Sequence, residues 1–182
     1  NVVAFSGYTA LPTSFSGTGG AAVNYSMNAN ASSTGTASVN TLKLVGAVGN
    51  PTLTLGGVLT LTGRAILFDN TNGVATITGS QLGAIATEVH VITNGGASGN
   101  ALTINSLIGG TTGSFTKSGT GTLIVGGNNA FTGNVIINEG TVQLSGGTAT
   151  LGVNSTAANI TTLRQDTTLD INAAGVSQTI GV

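Results

Sequence analysis

The chain has no cysteine among its 182 residues, which excludes disulfide bonds and thiolate metal sites. Charged residues are also scarce, because they make up 5% of the sequence against about 25% in typical soluble domains. Four Lys and Arg residues are too few for the basic surface that a nucleic acid or an anionic membrane surface requires. We therefore expect neither a nucleic-acid partner nor electrostatic binding to a membrane.

Long apolar runs and aromatic residues are missing as well. No apolar run approaches the roughly 20 residues that a membrane-spanning helix needs, and only 4% of the residues are aromatic. We expect no membrane insertion by this segment. The first residues, NVVAFSGYTA, contain neither a starting Met nor the basic region of a secretion signal, which predicts a mature or excised piece of a longer protein.

The residues that remain are mostly small or polar, but 40% are hydrophobic and these alternate with polar ones. Alternation with a period of two is typical of strands with one buried face. The segment from Gln81 to Val91 is the nearest to a helical pattern, and a short helix there stays an alternative. The alternating pairs are Leu42/Leu44, Leu53/Leu55, Leu59/Leu61, Ile66/Phe68, Ala75/Ile77, Val89/Val91, Leu102/Ile104, Leu123/Val125, Val135/Ile137, Val142/Leu144, Leu151/Val153 and Leu169/Ile171.

The alternation is most regular between Phe115 and Leu144, FTKSGTGTLIVGGNNAFTGNVIINEGTVQL. Three short strands lie there between turns rich in Gly and Asn, the residues that most readily adopt the positive φ angles of sharp corners. This stretch resembles the autotransporter-associated β-strand repeat, also called the passenger-associated transport repeat. The positions that agree with the repeat are Lys117, Gly119, Gly121, Thr122, Leu123, Gly127, Asn129, Phe131, Gly133, Ile137, Gly140, Thr141 and Leu144.

The resemblance implies an all-β, right-handed parallel β-helix, that is, a β-solenoid. At roughly 20 to 25 residues per coil, the chain would make about seven or eight coils. We expect residues 1–40 to form an irregular cap, a first coil or a donated arm, and residues 41–182 to form the solenoid. A β-sandwich is the alternative architecture, mainly for the first forty residues.

A second resemblance lies in residues 168–182, TLDINAAGVSQTIGV, which are similar to a segment that follows such repeats in very large bacterial surface proteins. Two extra residues, Ala173 and Ala174, stand between Asn172 and Gly175, which predicts a wider turn. Both resemblances concern architecture and setting rather than activity.

Few residues of the chain carry side chains suited to catalysis or metal binding. If residues 163–171 formed one strand, Arg164, Asp166 and Asp170 would share its outer face, either as a solvated strip or as a carbohydrate-binding or catalytic one. The alternative is a turn at residues 165–167 that breaks this shared face. His90 is the only histidine, and beside Glu88 it is expected to face outward without a metal. We predict no catalytic, cofactor-binding or metal-binding residues, and a protein that is not an enzyme.

Lys117 and Glu139 raise one further hypothesis, an intramolecular Lys–Asn isopeptide bond assisted by the carboxylate. The resemblance to the repeat accounts for Lys117 without such a bond.

These observations predict a structural or adhesive extracellular module of a bacterial surface protein or of a self-assembling fibre. Its expected partners are further copies of itself, joined end to end or by strand donation from Val2–Phe5, and surface glycans or neighbouring cells. The alternative is a glycan-binding or polysaccharide-degrading β-helix. The expected location is the cell surface or the extracellular space.

Overall fold

The computed structural model describes residues 7–46, 49–70, 73–83, 88–95, 100–109, 112–152 and 160–171. These residues form sixteen β-strands and no helix. The strands are β1 Thr9–Ala10, β2 Ser14–Met27, β3 Ala31–Gly46, β4 Thr52–Leu55, β5 Leu59–Asn70, β6 Ala75–Gly79, β7 Gln81–Leu82, β8 Glu88–Asn94, β9 Ala101–Ile104, β10 Leu107–Ile108, β11 Ser114–Ser118, β12 Thr122–Val125, β13 Val135–Ile137, β14 Gly140–Leu144, β15 Thr161–Leu163 and β16 Thr167–Asp170.

Every strand pair in this set is parallel, and each coil of the chain passes along three sides in turn. The first side is the ladder β4–β6–β9–β12–β14–β16, which the start of β3 joins at its amino-terminal end. The second side pairs the start of β5 with β7, and β7 with β10. The third side is the ladder from the end of β3 through β5, β8, β11 and β13 to β15. The long strands bend around corners, so that β5 lies on two sides and β2 and β3 each lie on all three.

The core consists of inward-facing columns in which aliphatic side chains stack from coil to coil. On the third side, aligned positions are Leu42, Ile66, Val91, Lys117 and Ile137. On the first side, they are Leu53, Ile77, Ile104, Val125 and Leu144. Burial of each large aliphatic side chain contributes about 1.5–3 kcal/mol, so these columns account for much of the stability. The inward faces agree with the alternation in the sequence, except at Leu151/Val153, where Leu151 lies outside any strand and Val153 lies outside the described residues.

The all-β parallel solenoid expected from the sequence is therefore confirmed, and the parallel pairing excludes a sandwich. The number of coils was overestimated, because about five turns have strands on all three sides, and the prediction was seven or eight. The complete turns span Ser14–Met27, Ala31–Gly46, Thr52–Asn70, Ala75–Asn94 and Ala101–Ser118. In the coils after these complete turns, the second side has turn residues in place of a strand. Its described residues there are linked by an isolated bridge between Asn128 and Thr150.

The amino-terminal strands belong to the same stack. β2 pairs with β3 in parallel, with three register shifts, and β3 continues through the predicted boundary between residues 40 and 41. The role of the first forty residues as cap or arm stays a prediction, and Val2–Phe5 lie outside the described residues. The sequence left a short helix at residues 81–91 as an alternative. The structure has strands at both ends of this segment, β7 and β8, and residues 84–87 lie outside the described residues. Across the described chain, no helix is long and apolar enough to cross a membrane.

Candidate functional site

Residues 115–144 bring four strands to one corner of the solenoid. Strands β11 and β13 lie next to each other on the third side, and β12 and β14 lie next to each other on the first side. Two short turns connect the sides, Gly119–Gly121 in one coil and Asn138–Glu139 in the next coil. We call the region formed by these two turns the corner.

Lys117 extends its ammonium group into the corner and contacts both turns. Its register partners are Val91 in the coil before and Ile137 in the coil after, both fully buried, and Lys117 itself is fully buried. Its ammonium group donates hydrogen bonds to three backbone carbonyl oxygens, those of Gly119 at 2.5 Å, Gly121 at 2.8 Å and Glu139 at 2.7 Å. An ammonium group has three N–H donors, so all of its donors have acceptors.

Burial shifts the pKa of Lys117. Loss of hydration lowers its pKa from the ordinary 10.5 to about 8, and the negative charge of Glu139 opposes this effect. The group therefore carries its charge at neutral pH. The contact with Glu139 is a hydrogen bond to the backbone carbonyl, and the contacts of Lys117 Nζ in the described structure are with backbone rather than with an Asn side chain. This arrangement gives no support to the isopeptide hypothesis.

Two glycines make room for this arrangement. Gly119 has φ +81° and Gly140 has φ +73°, values at which a residue with a Cβ is strained. A Cβ on Gly119 would lie 2.4 Å from the carbonyl oxygen of Thr93 in the preceding coil, and one on Gly140 would lie 2.8 Å from Lys117 Nζ. The backbone of successive coils therefore comes close enough for three carbonyls to converge on one cation.

Asn129 also joins neighbouring coils through hydrogen bonds to their backbone. It lies on the second side, beyond the last strand of that side. The side chain is 1% exposed. Its Oδ1 accepts a hydrogen bond from the backbone N–H of Ile108 at 2.6 Å, and its Nδ2 donates to the carbonyls of Thr150 at 2.7 Å and Gly127 at 3.1 Å. Ile108 belongs to the preceding coil and Thr150 to the following one, so one amide replaces the missing ladder bonds across three coils.

Phe115 and Phe131 pack against each other in the interior of the solenoid. Their rings stack with centroids 6.0 Å apart and an interplanar angle of 18°, and both are buried. Stacked aromatic pairs of this kind contribute about 0.5–1.5 kcal/mol beyond their buried area. Within the segment 115–144, Phe115, Lys117, Asn129 and Phe131 are thus all interior.

The structure separates the three residues of the predicted charged strip. β15 ends at Leu163 and β16 begins at Thr167, with a turn between them in which Asp166 has φ +59°. Arg164 therefore follows a strand of the third side, whereas Asp170 lies on the first side and accepts a hydrogen bond from Gln143 Nε2 at 3.2 Å. A single strand over residues 163–171 was therefore wrong, and the alternative of a turn around Asp166 that breaks the shared face is confirmed.

His90 lies where the sequence predicts, exposed on the outer face of β8. Its Nε2 is 3.7 Å from Glu88 Oε1, and the same carboxylate oxygen accepts a hydrogen bond from Thr116 Oγ1 at 2.5 Å. In the part of the chain that the structure describes, no three His, Cys, Asp or Glu residues come together as metal ligands would.

Sequence reasoning found the repeat but missed what Lys117 and Asn129 do. A signal was available for Lys117, because it stands two residues after Phe115 in a strand and therefore faces the same side. The convergence of three carbonyls on its ammonium group was not predictable, since Glu139 lies 22 residues along the chain and was considered only for its carboxylate. Asn129 was interpreted only as a turn residue.

The fold and the corner together define a parallel β-solenoid with one repeat in which Lys117 and Asn129 are buried. Within it, residues 115–144 match the family model of the passenger-associated-transport-repeat, which confirms the resemblance drawn from the sequence. No curated protein and no solved structure matches the chain. The second resemblance, at 168–182, stays a prediction, and residues 172–182 lie outside the described residues.

Proposed function

We propose that this chain is a structural and adhesive module of an extracellular bacterial protein, similar to an autotransporter passenger, and that it associates with further copies of itself. The repeat at 115–144 and the solenoid fold support a passenger-like module at the cell surface or outside the cell. The adhesive and self-associating role rests on the end of the stack.

The observation that carries this proposal is the exposure of Leu163. Leu163 continues the inward column of the third side, with Ile137 as its register partner. Ile137 is fully buried, but Leu163 is 42% exposed. The last described coil therefore presents part of the core cross-section, and the outer edges of β15 and β16 have no strand partner among the described residues.

Association through this end would be head to tail. A solenoid has two different ends, so a contact between the carboxyl-terminal coil of one copy and the amino-terminal coil of the next does not close on itself, and it generates filaments. With only 5% charged residues, the chain has little electrostatic repulsion to prevent such edge contacts.

The test compares Leu163→Ser with Leu107→Ser. Leu107 is 36% exposed and lies within the stack in β10, so it matches Leu163 in size and exposure but not in position. Sedimentation velocity and negative-stain electron microscopy of the wild-type chain should show concentration-dependent rods or filaments. Burial of a leucine side chain at a contact contributes about 1.5–3 kcal/mol, so Leu163→Ser should weaken each contact between copies by about tenfold or more. Leu107→Ser should assemble like the wild-type chain.

A stable wild-type monomer at high concentration, without filaments, would contradict the self-association. Circular dichroism of both variants shows whether the fold is intact. Deletion of residues 1–10 adds a further test, since a donated strand at Val2–Phe5 predicts that the deletion abolishes assembly and leaves the coils folded.

Glycan binding is the second candidate function, and one feature favours it. A groove of about 290 Å³ on the first side is lined by Thr13, Asn30, Ala31, Ser32, Thr52 and Thr54, whose hydroxyl and amide groups are suited to sugar hydroxyls. The expected signal is binding to a defined polysaccharide on a glycan array that is lost in Thr54→Val. The Asp166→Ala/Asp170→Ala double variant should bind normally, because those residues do not line this groove. We propose no enzymatic activity for either candidate.

A further inference from the structure

The aliphatic pattern of this solenoid leaves the alignment of its coils weakly determined. Strands of the first side carry nearly the same sequence, among them TLTL at 52–55, TLIV at 122–125 and TVQL at 141–144. A shift of two residues between neighbouring strands keeps the aliphatic side chains inside, because side chains alternate with a period of two. Incorrect alignments of such strands would therefore bury almost the same apolar surface as the correct one.

Lys117 distinguishes the correct alignment from shifted ones. Two of its acceptors, Gly119 O and Gly121 O, belong to its own coil and move with it, but the third, Glu139 O, belongs to the next coil. A shift of two residues displaces the coils by about 7 Å, which removes the third acceptor. A buried ammonium with an unused donor costs far more than a misplaced aliphatic group.

Asn129 extends this restriction to a third coil. Its amide contacts the backbone of Ile108 in the preceding coil and of Thr150 in the following coil, at 2.6 Å and 2.7 Å. In a shifted arrangement, its buried oxygen and nitrogen lose these partners. Lys117 joins two coils at the corner, and Asn129 joins the same two coils to a third one on the second side. The two residues therefore restrict the alignment at two separate places.

We propose that Lys117 and Asn129 are register-determining residues, through which the segment 115–144 sets the alignment that the neighbouring coils adopt. Each coil of a solenoid contacts only its neighbours, so one correctly aligned coil provides the template for the next. The role of the ammonium is specificity: it makes incorrect alignments unfavourable, in the way that single buried polar residues specify register in coiled coils.

The experiment refolds the full chain from denaturant and compares Lys117→Met with Ile137→Met. Both variants place an unbranched apolar side chain in the same inward column, one coil apart, so Ile137→Met is the matched control. Recovered monomer is measured by size exclusion, and alignment by hydrogen exchange of peptides from 115–144. We expect Lys117→Met to give a several-fold lower yield and two mass populations. Ile137→Met should give a single population at wild-type yield.

Equal yields and a single population in both variants would overturn the proposal, whatever their stabilities. Should Lys117→Met fail to fold at all, Lys117→Ala decides. Propylammonium supplies the missing stem and the three N–H donors, so it should restore the yield and the single population when present during refolding. Tetramethylammonium has the same charge but no N–H group and should not. Equal effects of the two cations would contradict a role of the carbonyl acceptors.

Discussion

At the scale of single residues, Lys117 differs from every other member of its column. A lysine in an otherwise aliphatic column loses its hydration, and the fold compensates by directing three carbonyls toward the ammonium. The compensation is incomplete, because the pKa of Lys117 falls to about 8. The burial of this side chain therefore couples protonation to folding.

The pH dependence of stability follows from this shift. The folded chain releases the Lys117 proton near pH 8, whereas the unfolded chain holds it up to the ordinary pKa of 10.5. Between these values the unfolded state binds more protons, so the free energy of unfolding should rise with pH, by about 3 kcal/mol at most. Urea denaturation from pH 7 to 10.5 measures it. Lys117→Met should lack this rise, and identical profiles would refute the assignment.

Leu123 and Thr122 test the assignment of inner and outer faces. Leu123 is fully buried and its neighbour Thr122 is half-buried on the outer face of β12. Leu123→Asp places an unpaired carboxylate in the core and should lower the free energy of unfolding by several kcal/mol. Thr122→Asp should change it by less than about 1 kcal/mol. Chemical denaturation of both variants measures the difference, and equal tolerance would reverse the assignment.

At the scale of elements, the turns determine how closely successive coils approach. The strands repeat one simple pattern, but the turns differ from coil to coil. In the turn after β11, Gly119 adopts a left-handed conformation against the carbonyl of Thr93. In the turn before β16, Asp166 adopts a left-handed conformation with φ +59°. The charged strip on a single strand was wrong for this reason, and the alternative of a turn at this place was right.

A glycine substitution in a turn should therefore have an effect that the same substitution in a strand lacks. Gly119→Ala introduces a Cβ at φ +81° and 2.4 Å from the oxygen of Thr93, and it should destabilise the chain by at least about 1–2 kcal/mol. Gly35 has open space around its Cα, and Gly35→Ala should be neutral or stabilising by up to about 1 kcal/mol. Thermal unfolding of the two variants provides the comparison, and similar melting temperatures would contradict it.

At the scale of the whole molecule, the protein is a stack whose coils depend on their neighbours. A coil within the stack is bonded on both sides, and the last described coil on one side only. Stability in such a stack is approximately a sum of coil and interface contributions. The end of the stack should therefore open more easily than its middle.

Hydrogen exchange should show this difference in local stability between the middle and the end of the stack. The chain is kept monomeric by dilution. The amide of Gly126, bonded to Ile104 O at 2.8 Å, lies within the stack, and the amide of Arg164, bonded to Ile137 O at 2.9 Å, lies at its end. The hydrogen bonds are of similar length, so the difference in exchange reports local opening. We expect slower exchange at Gly126, and uniform exchange of both would show that the stack unfolds as one unit.

Much of the architecture was predictable from the residues. The alternation of Leu123/Val125 or Ile66/Phe68 identifies strands and their inner faces, because the two-residue period is a local property of the backbone. Gly and Asn identify the turns for a similarly local reason. The repeat at 115–144 was recognisable because its residues follow in a fixed order within a short segment.

What the sequence determined by itself is therefore the class of fold and the direction in which each aliphatic side chain points. The tertiary structure decided the number of complete coils, the separation of Arg164 from Asp170, and the surroundings of Lys117. These depend on which residues of different coils meet at a corner, as Lys117 meets Glu139. Such meetings are set by the path of the turns in three dimensions, and a local pattern does not contain that path.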